Sequence, residues 1–241
     1  MLLSLSSAAA PRLPLAALLE GCGRRGLAGL ELSVGDAHGV EPATAAEALR
    51  LAEAVGVRLA GVRCAGFAGA GAALPLAARL GAPLVVDAAA LSTPQLCALA
   101  WVAAGSGVRI LLLHGSDLTE ARRVRTLAES LPPGTAGTAW EVDPARDDGA
   151  AVPQVLREAG EALAYVRLRG GGPESAAQTG MGVGALMARL TLARYGGPLV
   201  LSPSTSGHRQ VWERWLGRAG GWGCGSRQSS PELVTLAGAA S

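Results

Sequence analysis

Short apolar runs recur along the chain, each followed by an Ala-, Leu- and Arg-rich stretch of helical period. The runs fall at 2–7, 27–34, 57–64, 83–87, 108–114, 137–143, 163–169 and 198–202. The stretches between them predict a helix from Pro14 to the Gly21-Cys22-Gly23 stop, then helices over 44–54, 73–80, 93–103, 117–131, 151–159, 184–193 and about 207–216. Thr93 reads as the N-cap of the fourth helix. Eight strand–helix units of about 30 residues each, in strict alternation, imply a parallel sheet closed into a (β/α)8 TIM barrel, an α/β fold. A doubly wound open sheet is the rival. It usually carries a Gly-rich first turn, and here that turn is Ser-Ser-Ala-Ala-Ala-Pro. The barrel is assigned to 1–219, and 220–241 to a Gly/Ser-rich tail that packs on a barrel end or frays.

Alternation within each strand sorts side chains between the barrel interior and the helix layer. Leu30 and Leu32 oppose Glu31 and Ser33; Trp140 and Val142 oppose Glu141 and Asp143; Val166 and Leu168 oppose Tyr165, Arg167 and Arg169. With the apolar faces against the helices, the inward set is Ser6, Glu31, Ser33, Cys64, Asp87, His114, Glu141, Asp143, Arg167, Arg169 and Ser202. Polar groups near strand C-termini lie where barrel enzymes build their sites. Two inward arginines need carboxylates beside them, because an unpaired buried charge is very costly. Glu141 and Asp143 sit on the neighbouring strand at matching depth. One reading is a pair of cross-strand ion pairs that only fill the barrel. The other is that Asp143 and Arg169 reach the mouth and meet a ligand, with Asp87 and His114 placed to supply a carboxylate and a titrating base.

Composition narrows the chemistry. The 241 residues are 49% hydrophobic and 17% charged, with a net charge of +2, so a large core is available and a polybasic nucleic-acid or lipid-surface binder is not the default. No apolar run reaches the ~18–20 residues of a membrane helix, and the first ten residues lack the basic flank of a signal peptide. The expectation is a soluble, cytoplasmic protein. There is no Lys, so Schiff-base chemistry and a Walker lysine are excluded, and all 21 positive charges are guanidiniums suited to carboxylate or phosphate. Cys22, Cys64, Cys97 and Cys224 match neither a zinc spacing nor a compact disulfide framework. No G-x-S-x-G elbow is present.

Three stretches resemble the xylose-isomerase-like TIM barrels, the sugar-phosphate isomerase/epimerase group: Gly26-Leu27-Ala28-Gly29-Leu30-Glu31-Leu32, Tyr165-Val166-Arg167-Leu168-Arg169 with the later Gly180-Met181-Gly182, and Tyr195-Gly196-Gly197-Pro198-Leu199-Val200-Leu201-Ser202. The resemblance implies a sugar or sugar-phosphate substrate and proton transfer beside a carbonyl. It also implies one divalent metal held by Glu on strand five, Asp on strand six with a nearby His, His on strand seven and Glu on strand eight. In this chain those positions read His114, Asp143, Arg146, Arg167 and Ser202. Too few carboxylate oxygens remain for a hard cation, so no metal or other cofactor is expected there. Arginine charge then replaces metal charge, and Arg146, Arg167 or Arg169 would hold an anionic oxygen. Gly170-Gly171-Gly172 and the segment 202–207, including Ser202 and Ser204, offer backbone amides of the kind barrels use for phosphate, although capping of the eighth helix explains Ser204 to Ser206 equally well.

The resulting expectation is an isomerase/epimerase-like protein with Glu31, Asp87, His114 and Asp143 as catalytic candidates. Glu141, Arg146, Arg167, Arg169, Ser202 and Ser204 are the ligand-binding candidates. The competing expectation is a barrel that binds a small anion or a protein partner without catalysis. Neither involves nucleic acid or membrane. Trp212, Trp215 and Trp222 mark a candidate packing or self-association surface.

Overall fold

A computed structural model describes residues 1–35, 38, 40–64, 66–143, 152–170 and 183–203, with the side chains of 183–185 excepted. Eight parallel strands close in sequence order: β1 Leu2–Ser6, β2 Gly29–Ser33, β3 Arg58–Cys64, β4 Leu84–Asp87, β5 Ile110–His114, β6 Ala136–Val142, β7 Leu163–Arg169 and β8 Pro198–Ser202, with β8 pairing back onto β1. Helices α1 Leu15–Arg24, α2 Ala45–Ala54, α3 Phe67–Leu80, α4 Thr93–Gly105, α5 Leu118–Ser130, α6 Val152–Ala159 and α7 Val183–Leu192 follow the first seven strands. This is the (β/α)8 barrel that the alternating pattern predicts. The eighth helix, the tail from 220, Arg146 and Ser204 lie outside the described residues.

Local chemistry sets the helix starts. The cap of α4 is Ser92 rather than Thr93: Gln95 Oε1 accepts from the Ser92 backbone N–H at 2.9 Å, closing a capping box with Pro94 in the first turn. Asp117 caps α5 by accepting from the amides of Thr119 and Glu120. Helix α3 starts at Phe67, well before the predicted 73. Gly69, Gly71 and Pro75 weaken helix propensity there, but burial of Ala70, Ala73, Leu74, Leu76, Ala77 and Leu80 against the sheet outweighs that loss.

The core has two compartments. The larger lies between strands and helices and takes Leu30, Leu32, Val62, Ile110, Leu112, Trp140, Val142, Val166 and Leu168 from the outward strand faces. The smaller fills the barrel itself with Val85, Leu111, Leu113, Ala139, Tyr165 and Val200. Tyr165 is fully buried, and its ring lies over Gly61: a Cβ built on that glycine would stand 3.5 Å from Tyr165 Cε2 and 3.2 Å from Val85 Cγ2. The apolar plug closes the middle of the barrel and leaves the polar inward residues above it, at the strand C-termini.

Candidate active site

The floor of the mouth is one hydrogen-bonded network. Glu31 on β2 is fully buried. Tyr165 donates its hydroxyl to Glu31 Oε2 at 2.7 Å, and Arg167 Nε approaches Oε1 at 3.4 Å. The other guanidinium nitrogens of Arg167 donate to Glu141 Oε2 and to Ser202 Oγ. One cation on β7 thus joins β2, β6 and β8. Register explains the β6 contact, because Glu141 and Arg167 are direct cross-strand partners. Arg169, one layer higher and largely exposed, stands 3.7 Å from Glu141 Oε1.

Electrostatics fix the protonation states. Burial would raise the Glu31 carboxyl, but Arg167, then Arg63, with the hydroxyls of Tyr165 and Ser6 beside it, outweigh burial and hold it below the ordinary glutamate range. Ser6 Oγ sits next to the carboxylate but outside full hydrogen-bond geometry. The Arg167 guanidinium meets the same balance: burial disfavours its charge, and Glu31 and Glu141 more than restore it. Burial and the neighbouring Glu31 both push the Tyr165 phenol up, so it is a neutral donor. The network sets two carboxylates against the buried Arg167 and, from above, Arg169, with Arg63 near enough to act on Glu31 without an ion pair within 4.0 Å.

The remaining expected residues divide. Asp87 is on the inward face, following Val85, but its side chain accepts from the Ala89 amide at 3.0 Å and caps a short turn over Ala88–Ala90. Asp143 lies directly after β6, on the alternation of Glu141. Ser202 is buried and engaged by Arg167. His114 and Cys64 do not point into the barrel. Alternation puts His114 with Ile110 and Leu112 on the helix side, while Leu111 and Leu113 fill the interior. Its Nδ1 lies 2.7 Å from the Gly115 carbonyl, and burial holds its pKa below the ordinary histidine value, against the smaller opposing effects of Gly115 and Glu120. Cys64 joins Val62 in the outer core, and the inward residue at that end of β3 is Arg63. Arg63, Tyr165 and His38 were missing from the expected site. Tyr165 had an inward-strand signal, and His38 and Arg63 became recognisable only from their surroundings.

Among the described residues, no group of three or more His, Cys, Asp or Glu is arranged to hold a metal ion. The strand-five histidine faces the helices, and the guanidinium of Arg167 lies between Glu31 and Glu141. A divalent cation does not fit a carboxylate pair already bridged by a fixed positive charge.

No protein-family model and no curated protein sequence matches the chain. Solved structures match closely in fold. D-psicose 3-epimerase from Clostridium cellulolyticum, solved with D-tagatose, aligns with a TM-score of 0.66 at 14% identity over 90% of this chain and 95% of that one. The 3-keto-D-glucoside 4-epimerase from Escherichia coli gives 0.64 at 16% over 90% and 97%. A xylose isomerase domain containing protein from Salmonella typhimurium gives 0.63 at 15% over 90% and 94%. Identities this low carry the fold alone. The chain has the fold of the xylose-isomerase-like TIM barrels, with the barrel mouth floored by arginine-bridged carboxylates.

Proposed function

We propose that the protein is an isomerase- or epimerase-like barrel that takes a small anionic carbohydrate, a sugar acid or sugar phosphate, at the C-terminal mouth and works without a metal. The observation that carries this is the Glu31–Arg167–Glu141 network, which puts a fixed guanidinium at the base of a site whose fold is shared with sugar epimerases. Arg167 is fully committed to its three partners, so its role is to hold Glu31 and Glu141 in place. Arg169 is exposed on one side and held loosely by Glu141, which leaves it able to turn towards a developing enediolate oxygen. Glu141, which already meets Arg169, and Asp143, on the same alternation after β6, are the candidates for moving a proton at the adjacent carbon. Asp87 would act only after releasing the Ala89 amide, and Arg146 and Ser204 remain candidates by their place in the sequence. His114, facing the helices, takes no part.

One specific observation favours a second reading, a barrel that binds the same ligand without turning it over. Both carboxylates of the network are bound to arginine, and Glu31, held below the ordinary glutamate range, is a weaker base for it. Incubation with candidate ketose phosphates and sugar acids in deuterated buffer separates the two. Solvent deuterium appearing at a carbon beside the carbonyl, and lost in Glu141→Gln or Asp143→Asn, supports catalysis. Saturable binding with no incorporation leaves the second reading, and neither binding nor incorporation removes both.

A further inference from the structure

The network described above uses β2, β6, β7 and β8. On the other side of the mouth, at the ends of β1, β2 and β3, four side chains carry buried polar atoms with no hydrogen-bond partner: Ser6 Oγ, which lies beside Glu31, and Ser33 Oγ, His38 Nδ1 and Arg63 Nε. The last three are outside the Glu31 network. They belong together. Ser33 and Arg63 are cross-strand partners on β2 and β3. The Ser33 backbone N–H donates to Ser7 Oγ at 3.0 Å, and His38 Nε2 donates to the Ser7 carbonyl at 3.0 Å. Ser7, just past β1, therefore ties His38 to the strand end that carries Ser33 and, through it, Arg63.

A buried guanidinium N–H without an acceptor is unfavourable, and three orphaned groups in one place are rare in a native interior. Their chemistry specifies what is missing. Arg63 Nε is only a donor, so it requires an oxygen acceptor, best an anionic one. His38, with Nε2–H given to Ser7, presents Nδ1 as a lone pair that accepts from a hydroxyl. Ser33 can do either. We infer that Ser33, His38 and Arg63 form the subsite for the anionic end of a polyhydroxylated ligand. Arg63 binds its carboxylate or phosphate oxygen, and His38 Nδ1 accepts from a neighbouring hydroxyl. This deepens the proposed function and rests on it for the choice of a carbohydrate. It assigns Arg63, not Arg169, as the residue that anchors the charge.

The test is binding of inorganic phosphate, acetate and D-gluconate to the full chain by calorimetry and thermal shift, in wild type, Arg63→Met, Ser33→Ala, His38→Phe and Arg169→Met. Gluconate binding that falls about tenfold or more in Arg63→Met, severalfold in His38→Phe and little in Arg169→Met supports the assignment. Phosphate binding with the same dependence, in place of gluconate, selects a phosphate ester over a sugar acid. Acetate tests the charge alone and should be insensitive to His38→Phe. Because Arg63 also acts on Glu31, Arg63→Met changes folding as well as binding; Ser33→Ala removes only an unpartnered hydroxyl, should leave the unliganded melting temperature unchanged and should still reduce the ligand-induced rise. No binding of any probe at millimolar concentration, or binding equal in wild type and all three β1–β3 variants, overturns the inference. Binding that depends on Arg63 without deuterium incorporation in the exchange experiment sinks the catalytic reading and leaves this one standing.

Discussion

Arg167 Nε lies 3.4 Å from Glu31 Oε1, although β7 and β2 are not neighbours in the sheet. The contact crosses the barrel interior, and the same guanidinium bonds Glu141 on its own side. A charge that joins opposite walls is exposed to almost no solvent screening, so removing it has a large expected effect. Arg167→Met should destabilise the fold by about 3–5 kcal/mol, because Glu31 is left buried and uncompensated. Urea unfolding measures this. The paired change Arg167→Met with Glu31→Gln should recover a good part of the loss, since no orphaned charge remains.

Tyr165 gives the buried carboxylate its shortest hydrogen bond of those within the barrel plug, 2.7 Å. Tyr165→Phe keeps the ring and removes only the donor. A charge-assisted bond of this kind is worth ~1.5–3 kcal/mol. The loss should appear in the unfolding free energy with an unchanged denaturant slope, since the buried surface is the same.

Two buried groups give stability a defined dependence on pH. Glu31 has a folded pKa below the ordinary value of 4.5, so its contribution is complete above that pH and disappears as pH falls through the lower folded value. His114 also has a folded pKa below its ordinary value of 6.5, because burial favours the neutral ring. The unfolded chain therefore binds the proton first, and stability declines as pH drops below 6.5 towards the folded value. Unfolding curves collected downwards from pH 8 should show a first decline that His114→Gln removes. A second decline, below 4.5, should survive in His114→Gln and be weakened in Glu31→Gln.

The contrast between strands shows what the sequence made legible. On β2, β6 and β7, apolar and polar residues alternate cleanly, and Glu31, Glu141, Arg167 and Arg169 were placed on the correct face by period alone. Strand β5 reads Ile-Leu-Leu-Leu-His, apolar on both faces because it is buried on both. Sorting its single polar residue inward therefore put His114 on the wrong side. Strand β3 failed in a related way. Its inward positions include Gly61, which carries no polarity signal, and a register shift opposite Leu30/Glu31 displaces the count, so the pattern points to Cys64 as inward where the structure has Arg63. The strand boundaries came through because Gly and Pro punctuate them. Contacts across the barrel did not, since nothing local in β7 says that Arg167 reaches β2.

Gly61 supplies the last expectation, because the position of Tyr165 depends on it. The added Cβ of Gly61→Ala would meet Val85 Cγ2 at 3.2 Å, which must give by a few tenths of an ångström, and would come into ordinary contact with Tyr165 Cε2 at 3.5 Å. Overpacking of that size costs ~1–3 kcal/mol. Gly61→Val adds branches that the ring of Tyr165 cannot avoid, so the phenol should leave Glu31. If that is the mechanism, Tyr165→Phe in the Gly61→Val background should cost much less than Tyr165→Phe alone, since the hydrogen bond is already lost. A double-mutant cycle on unfolding free energies gives this coupling directly, and additive losses would show that the valine acts on Val85 rather than on the tyrosine.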